Sequence, residues 1–332
     1  MSSSNQTAVF KIAIIQHPPV FLNFQDSLIK ARTLIGQAAG EGANLVVFPE
    51  TWLPGYPVWL DFSPKAALWD HPPAKALYRV LAENSVVIPS HAFEELLALA
   101  GETGTYVVMG MHELHGGTLY NTMLFINKNG RDFRLHRKLM PTYSERMIWG
   151  RGDGSTLSIL ETEYGNIGGL ICWEHWMPLA RAAMHAKQET VHIAQWPMVK
   201  EHNLLASRHY AFEGQCFVIA AGCVLSKADI IDGFTSLPQP ENPGLELLET
   251  LPGEGADLIL KGGSAIIAPN SDYLIEPVTD KPETLFADIE PGMIKEGHLV
   301  LDSHGHYARP DVFRLEVNDE PQRNVIFKSE IK

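Results

Sequence analysis

The run Gly168-Gly169-Leu-Ile-Cys172-Trp173-Glu174-His175 sets two glycines and two aliphatic residues before a thiol, then follows it with aromatic and ionisable groups. This is the pattern of a buried strand whose tip presents a side chain, with the glycines leaving room for close approach of other backbone. A helix is expected from Pro178, where proline suits the first turn, and its positive end favours a thiolate at Cys172. A free cysteine is also often a small buried hydrophobe, and the run alone leaves both readings open. A thiol nucleophile needs a base to take its proton and positive charge or donors where negative charge develops. Glu50, closing Val47-Phe-Pro-Glu50, and Lys138, closing Arg134-Leu-His-Arg-Lys138, supply those types at two other strand ends. Locally each also has a plain reading, as a surface or helix-capping carboxylate and as a solvated cation.

Alternating elements must position these residues. Residues 11–16 and 44–48 read as strands, and between them apolar side chains recur at helical spacing from Asp26 until Gly40 and Gly42. Glu50 thus lies at the C-terminal end of a strand in a strand–helix–strand unit, the edge where open α/β sheets form ligand sites. The loop Thr51-Trp-Leu-Pro-Gly-Tyr56-Pro-Val-Trp59 is aromatic enough to wall a substrate pocket or to plug the core. Helices are expected over 74–83 and over 91–100, the second ended by Gly101, and a strand over 105–111. Asn129-Gly130 marks a hairpin between 121–127 and 132–138, and Asn270-Ser-Asp marks a similar one. Strands at 157–160 and 168–172 flank a turn at Tyr164-Gly165. Helix, strand 190–195, helix 204–214 and strand 217–221 follow. The region 237–255, rich in Pro, Gly and Glu, reads as a surface loop. Two halves with the same strand–helix–strand order predict an α/β fold: a four-layer α-β-β-α sandwich of two packed sheets with pseudo-twofold internal symmetry.

Composition narrows the function classes. A net charge of −13 over 332 residues argues against nucleic acid or an anionic membrane surface as the partner. Three cysteines with no close pair make no disulfide framework and suit a reducing, cytoplasmic setting. The opening Met-Ser-Ser-Ser-Asn-Gln-Thr lacks the basic n-region of a secretory signal. The most apolar stretch, 216–225, is half the roughly 20 residues a membrane span needs. With no linker in view, a single domain over 1–332 is expected.

At the three strand-end residues the chain resembles the nitrilase (carbon–nitrogen hydrolase) superfamily. Val47-Phe-Pro-Glu50-Thr, His136-Arg-Lys138-Leu-Met-Pro-Thr-Tyr and Gly169-Leu-Ile-Cys172-Trp-Glu match its glutamate, lysine and cysteine motifs in order. Cys172-Trp173-Glu174-His175 and Gly305-His306-Tyr-Ala-Arg-Pro-Asp-Val-Phe313 are similar to the true nitrilase branch. The resemblance spans 11 to about 315. It implies that Cys172 attacks a nitrile carbon as Glu50 takes its proton, that Lys138 stabilises the tetrahedral species, and that no metal or organic cofactor takes part. It also assigns a fourth role to Glu145. That residue lies past Pro141, so its segment must turn back towards Lys138 to act. The implied partners are a small nitrile and further copies of the chain, with about 301–332 reaching an oligomer interface.

Tyr56, Trp59, Trp173, His175 and Trp196 are the candidates for an aromatic-rich substrate pocket. An amidase or a cyanide-degrading enzyme shares the expected fold, and a non-catalytic small-molecule binder is the rival from another class, although it has no need of the whole trio. His112-Glu-Leu-His115 lacks the further ligands of a zinc site. Gly150-Arg-Gly-Asp-Gly154 lacks the context of a phosphate loop.

Overall fold

Alternation of side chains along the strands decides how the layers form. In β1 (Phe10–Gln16) the side chains of Phe10, Ile12 and Ile14 join one buried cluster, while Ala13 and Ile15 join another. A strand with apolar groups on both faces must be covered on both, which requires a layer on each side. The computed structural model describes residues 10–238, 242–323 and 325.

The first half continues with α1 (Phe24–Gly40), β2 (Leu45–Val47), α2 (Trp59–Phe62), α3 (Pro72–Glu83), α4 (His91–Thr103), β3 (Tyr106–His115), β4 (Thr118–Ile126) and β5 (Phe133–Arg137). The second half runs β6 (Leu160–Thr162), β7 (Gly165–Ile171), α5 (Pro178–His185), β8 (Glu189–Gln195), α6 (Glu201–Gly214), β9 (Phe217–Ala221) and β10 (Val224–Ser226). It is completed by α7 (Lys227–Thr235), α8 (Gly244–Glu249), β11 (Leu258–Ile267), β12 (Tyr273–Thr279), β13 (Glu283–Ile289) and α9 (Gly292–Gly297).

Among the described residues the strands form two sheets. One is six-stranded in the order β13-β1-β2-β3-β4-β5; in the other, β10-β11-β9-β8-β7-β6 form the path and β12 pairs with β11. In the first sheet β1, β2 and β3 are parallel, and β4 and β5 follow antiparallel. In the second, β7, β8 and β9 are parallel, and β11 and β12 follow antiparallel. The same order of pairings occurs twice, as expected from the two halves. Phe10, Ile12, Val47, Val108 and Phe125 of one sheet share a buried cluster with Ile167, Leu170, Val191 and Ile193 of the other. Helices α1, α3 and α4 cover the outer face of the first sheet, and α5 and α6 that of the second.

Three local readings change. Helix α4 runs through Gly101 and ends at Gly104, whose left-handed φ of 65° supplies the cap. The region 237–255 is no simple loop, because it contains α8, whose Leu247 and Leu248 are buried against the first cluster; its residues 239–241 lie outside those described. Strand β6 begins at Leu160, so 157–159 reach it as irregular backbone.

Candidate active site

Glu50, Lys138 and Cys172 each follow the last residues of a strand, and the packing of the two sheets brings the three together. Glu50 comes three residues after β2, and its backbone N–H reaches the Trp196 carbonyl of the other sheet at 3.4 Å. The turn that carries it depends on Gly110, since a Cβ there would lie 2.0 Å from the Pro49 carbonyl oxygen. Lys138 follows β5 and is fixed by its N–H to the Asn121 carbonyl at 2.9 Å. Cys172 follows β7 with a left-handed φ of 54°. For a side chain larger than glycine that conformation costs on the order of 1–3 kcal/mol and persists only where its surroundings determine it.

Glu145 turns back to the site as its position past Pro141 requires. It lies in a 3-10 turn, Tyr143–Met147, opened by a capping box in which the Thr142 N–H donates to Glu145 Oε2 at 2.6 Å. The spacing Thr-x-x-Glu is the sequence signature of such a box, a signal not read from the chain beforehand.

The ammonium of Lys138, fully buried, donates to Glu50 Oε1 at 2.8 Å and to Glu145 Oε2 at 2.7 Å. Asn121 donates to the same Glu50 oxygen at 2.7 Å, and Tyr56 donates to Glu145 Oε1 at 3.0 Å. Glu50 Oε2 is buried with no hydrogen-bond partner. A carboxylate oxygen of Glu50, one of Glu145 and the Cys172 sulfur lie within 4.8 Å of one another. Such a spread could suit a metal ion, but here the Lys138 ammonium already bridges the two carboxylates as their cation. Asn121 was missed from sequence, although an amide in the middle of an apolar strand is the kind of buried polar group that must have a partner.

Burial pushes the Glu50 carboxyl up to about 7 against the pull of Lys138, with the Glu145 charge adding to the rise. Burial and the Glu50 charge also hold the Cys172 thiol well above its ordinary range. The thiolate expected from a helix start is therefore not the resting form. The residue lies in a 3-10 segment, Cys172–Trp176, ahead of α5, and desolvation outweighs any help from a helix end. Lys138 is held protonated: burial opposes its charge, but the Glu50 and Glu145 carboxylates, joined by the Cys172 sulfur once it has lost its proton, outweigh burial. This state suits a thiol that loses its proton to Glu50 as it attacks, not before.

A second ion pair fixes the frame. Glu174 accepts from the Ile171 N–H and the Leu139 N–H, both at 2.6 Å, so it ties the residue before Cys172 to the residue after Lys138. His136 lies 2.9 Å from the same carboxylate and 3.1 Å from the Thr156 carbonyl, and two acceptors on its two ring nitrogens require the imidazolium. The Glu174 charge raises the His136 pKa in spite of burial.

A cleft of about 610 Å³ opens over Cys172. Tyr56 and Trp173 line it, with Phe62, Tyr143, Met198 and His202. Three of the aromatic candidates do not. Trp59 is 2 % exposed and packs edge-on against Phe21 in the core. Trp196 is fully buried, and His175 packs against it at a tilt while the His175 Nδ1 lies 2.7 Å from the Cys172 carbonyl. Aromatic composition alone did not separate pocket walls from core plugs, because both need the same apolar surface. His112 is likewise no ligand candidate, since its ring nitrogens pair with the Gly55 carbonyl and the Trp149 indole.

Two carboxylates bridged by a buried ammonium beside a thiol, between the sheets of an α-β-β-α sandwich, define a cysteine hydrolase site. The carbon–nitrogen hydrolase family profile matches residues 11–298. A nitrilase of Bradyrhizobium diazoefficiens is 36 % identical over 335 residues, covering 100 % of this chain and 99 % of the relative. An aliphatic nitrilase of Sinorhizobium fredii is 34 % identical, covering 96 % and 99 %. In fold the chain is similar to Nit3 of Saccharomyces cerevisiae, a member of branch 10 of the nitrilase superfamily, with a TM-score of 0.66 and 19 % identity over 94 % of this chain and 100 % of that one. The chain belongs to the carbon–nitrogen hydrolase family.

Proposed function

We propose that this protein hydrolyses an organic nitrile to the carboxylic acid and ammonia, with Cys172 as nucleophile, Glu50 as base and acid, and Lys138 and Glu145 as the electrostatic partners. The observation that carries the reading is the Lys138 ammonium bridging both carboxylates beside the thiol. Glu50 Oε2 is the free acceptor for the thiol proton. As sulfur adds to the nitrile carbon, that proton passes by way of Glu50 to the nitrile nitrogen and gives a thioimidate. Glu50 then takes a proton from a water that adds to the same carbon. Of the three N–H groups of Lys138 two are committed, and the third serves the tetrahedral species. Loss of ammonia leaves a thioester, and a second water releases the acid. If sulfur leaves first, an amide escapes.

The names of the two relatives support a nitrile over an amide as substrate. The walls of the cleft favour a nitrile with an aromatic or extended apolar substituent over cyanide. A neighbouring hollow of about 490 Å³ shares Phe62 and Met198 with the cleft and gives such a substituent room. We further read the chain as one domain that works as at least a homodimer in a reducing compartment. Free Cys172, Cys216 and Cys223 suit that setting, and among the described residues no helix is long and apolar enough to cross a membrane. Ammonia release from a panel of aryl, arylalkyl and alkyl nitriles, their amides and cyanide tests the reading. Release from nitriles is expected; turnover of amides or cyanide alone would replace it.

A further inference from the structure

Behind Cys172 lies a buried chain of polar groups that the chemistry above does not use. His175 Nδ1 lies 2.7 Å from the Cys172 carbonyl oxygen, and its Nε2 lies 3.0 Å from Nε2 of His192. His192 Nδ1 lies 2.9 Å from Glu189 Oε1, and the Tyr210 hydroxyl donates to Glu189 Oε2 at 2.5 Å. All four side chains are buried. The carbonyl can only accept, so His175 carries its proton on Nδ1. Its neutral Nε2 must then accept, and the proton between the two rings belongs to His192. With that nitrogen donating, the contact between His192 Nδ1 and Glu189 needs one further proton, held by the acid or by the ring. If it is lost, His192 can keep only one donor. Either two acceptors then face each other, or His175 moves its proton to Nε2 and leaves the Cys172 carbonyl without a donor.

We propose that Glu189 and His192 together hold one proton whose presence keeps His175 donating to Cys172, which makes Glu189 a positioning residue for the nucleophile. The strained backbone of Cys172 needs such support. Gly168, whose Cβ would lie 2.0 Å from Glu189 Oε1, leaves the space for the acid, which gives one glycine of the doublet before Cys172 a definite task. The Tyr210 ring stacks on His192 at 3.6 Å between centroids and closes the other side. A cavity of about 370 Å³ reaches Glu189, lined also by Lys295, Asp302 and His304, and gives a route for proton exchange.

The surrounding charges act in both directions. Burial raises the Glu189 carboxyl to about 7, while the Tyr210 hydrogen bond and the charges of His185 and Lys187 pull it down. Burial holds the His192 pKa well below its ordinary range, His185 and His136 add to that, and Glu174 opposes it. Burial, then His192 and Arg181, oppose charge on His175, and its bond to the Cys172 carbonyl and the Glu174 charge favour it.

The kinetic test rests on the nitrile reading, so it is paired with a measurement that needs no substrate. In Glu189→Gln the amide N–H donates permanently to His192, whereas Glu189→Ala removes the donor. Glu189→Gln is expected to keep kcat within about threefold of wild type at pH 6 and to lose the fall in kcat above neutrality, while Glu189→Ala loses at least ~10-fold throughout, as small misplacements of a reacting group do. Tyr210→Phe should move the alkaline fall to higher pH, because it removes a donor that favours the carboxylate. The second readout is the ¹⁵N spectrum of histidine-labelled protein, assigned with His175→Gln and His192→Gln. His175 is expected as the Nδ1–H form at pH 6, changing above neutrality in wild type but not in Glu189→Gln. An unchanged alkaline limb in Glu189→Gln, or His175 in the Nε2–H form at pH 6, would overturn the proposal. An absence of nitrile turnover with the expected spectra would count against the nitrile reading alone.

Discussion

Lys138 is the residue on which the electrostatics of the site turn. Its charge must be compact, because it meets Glu50 and Glu145 at under 3 Å on two sides while the thiol lies beside them. Lys138→Ala should lower kcat by at least ~10²-fold, the scale for losing one preorganised donor. Lys138→Arg should not restore it, since a planar fork does not occupy the position of an ammonium; steady-state kinetics at saturating nitrile decide both. Glu50, held at about 7, must be ionised to accept the thiol proton. Activity should therefore be lost as pH falls through about 7, and in Glu189→Gln, which lacks the alkaline fall, it should be retained on the basic side of that value. A profile flat from pH 5 to 8 would remove Glu50 from the role of base. Glu145→Gln should fold and still react with iodoacetamide at Cys172, yet lose most single-turnover acid release, because its charge is spent on orienting Lys138. Unchanged acid release would return Glu145 to a structural part.

At the scale of elements, strand ends carry the chemistry and small residues let them approach. Gly110→Ala places a methyl group against the Pro49 carbonyl. The expected cost is about 1–3 kcal/mol for an overpacked core, together with a drop in kcat as the turn bearing Glu50 shifts; a melting curve and a rate constant measure the two. What could be read from the chain follows the strength of its periodic signals. The apolar runs of β1, β2, β7, β8 and β9 and the helical spacing of α1 stood out because burial on two faces or one stripe imposes a pattern. Strand β13 did not, since its Glu-Thr-Leu-Phe-Ala-Asp-Ile run buries only Leu285 and Ile289 fully while it pairs with β1 at the edge of its sheet. Helices α7 and α8 were hidden by the Pro, Gly and Glu content around them. In the site, Glu50, Lys138 and Cys172 were legible from residue type at strand ends and from resemblance. Asn121, the Glu174–His136 clamp and the burial of Trp59 and Trp196 were not, because each depends on partners that other elements supply from more than twenty residues away in the chain.

The whole molecule leaves an apolar tail exposed. Tyr307, Val312, Phe313 and Leu315 all lie beyond the stretch matched by the family profile, and each is at least 42 % exposed. Apolar side chains in such number call for a partner surface, and at least a homodimer is expected by light scattering at micromolar concentration. A fully active monomer would contradict it. The central claim is that Cys172 forms a covalent bond to the nitrile carbon on the way to acid and ammonia. Acid quenching during turnover, followed by mass spectrometry of the intact protein and its peptides, tests this directly. A thioimidate or acyl adduct is expected on the peptide containing Cys172, with no adduct in Cys172→Ala and one ammonia for each acid released. Acid formation at the wild-type rate by Cys172→Ala, or an adduct confined to Cys216 or Cys223, would contradict it.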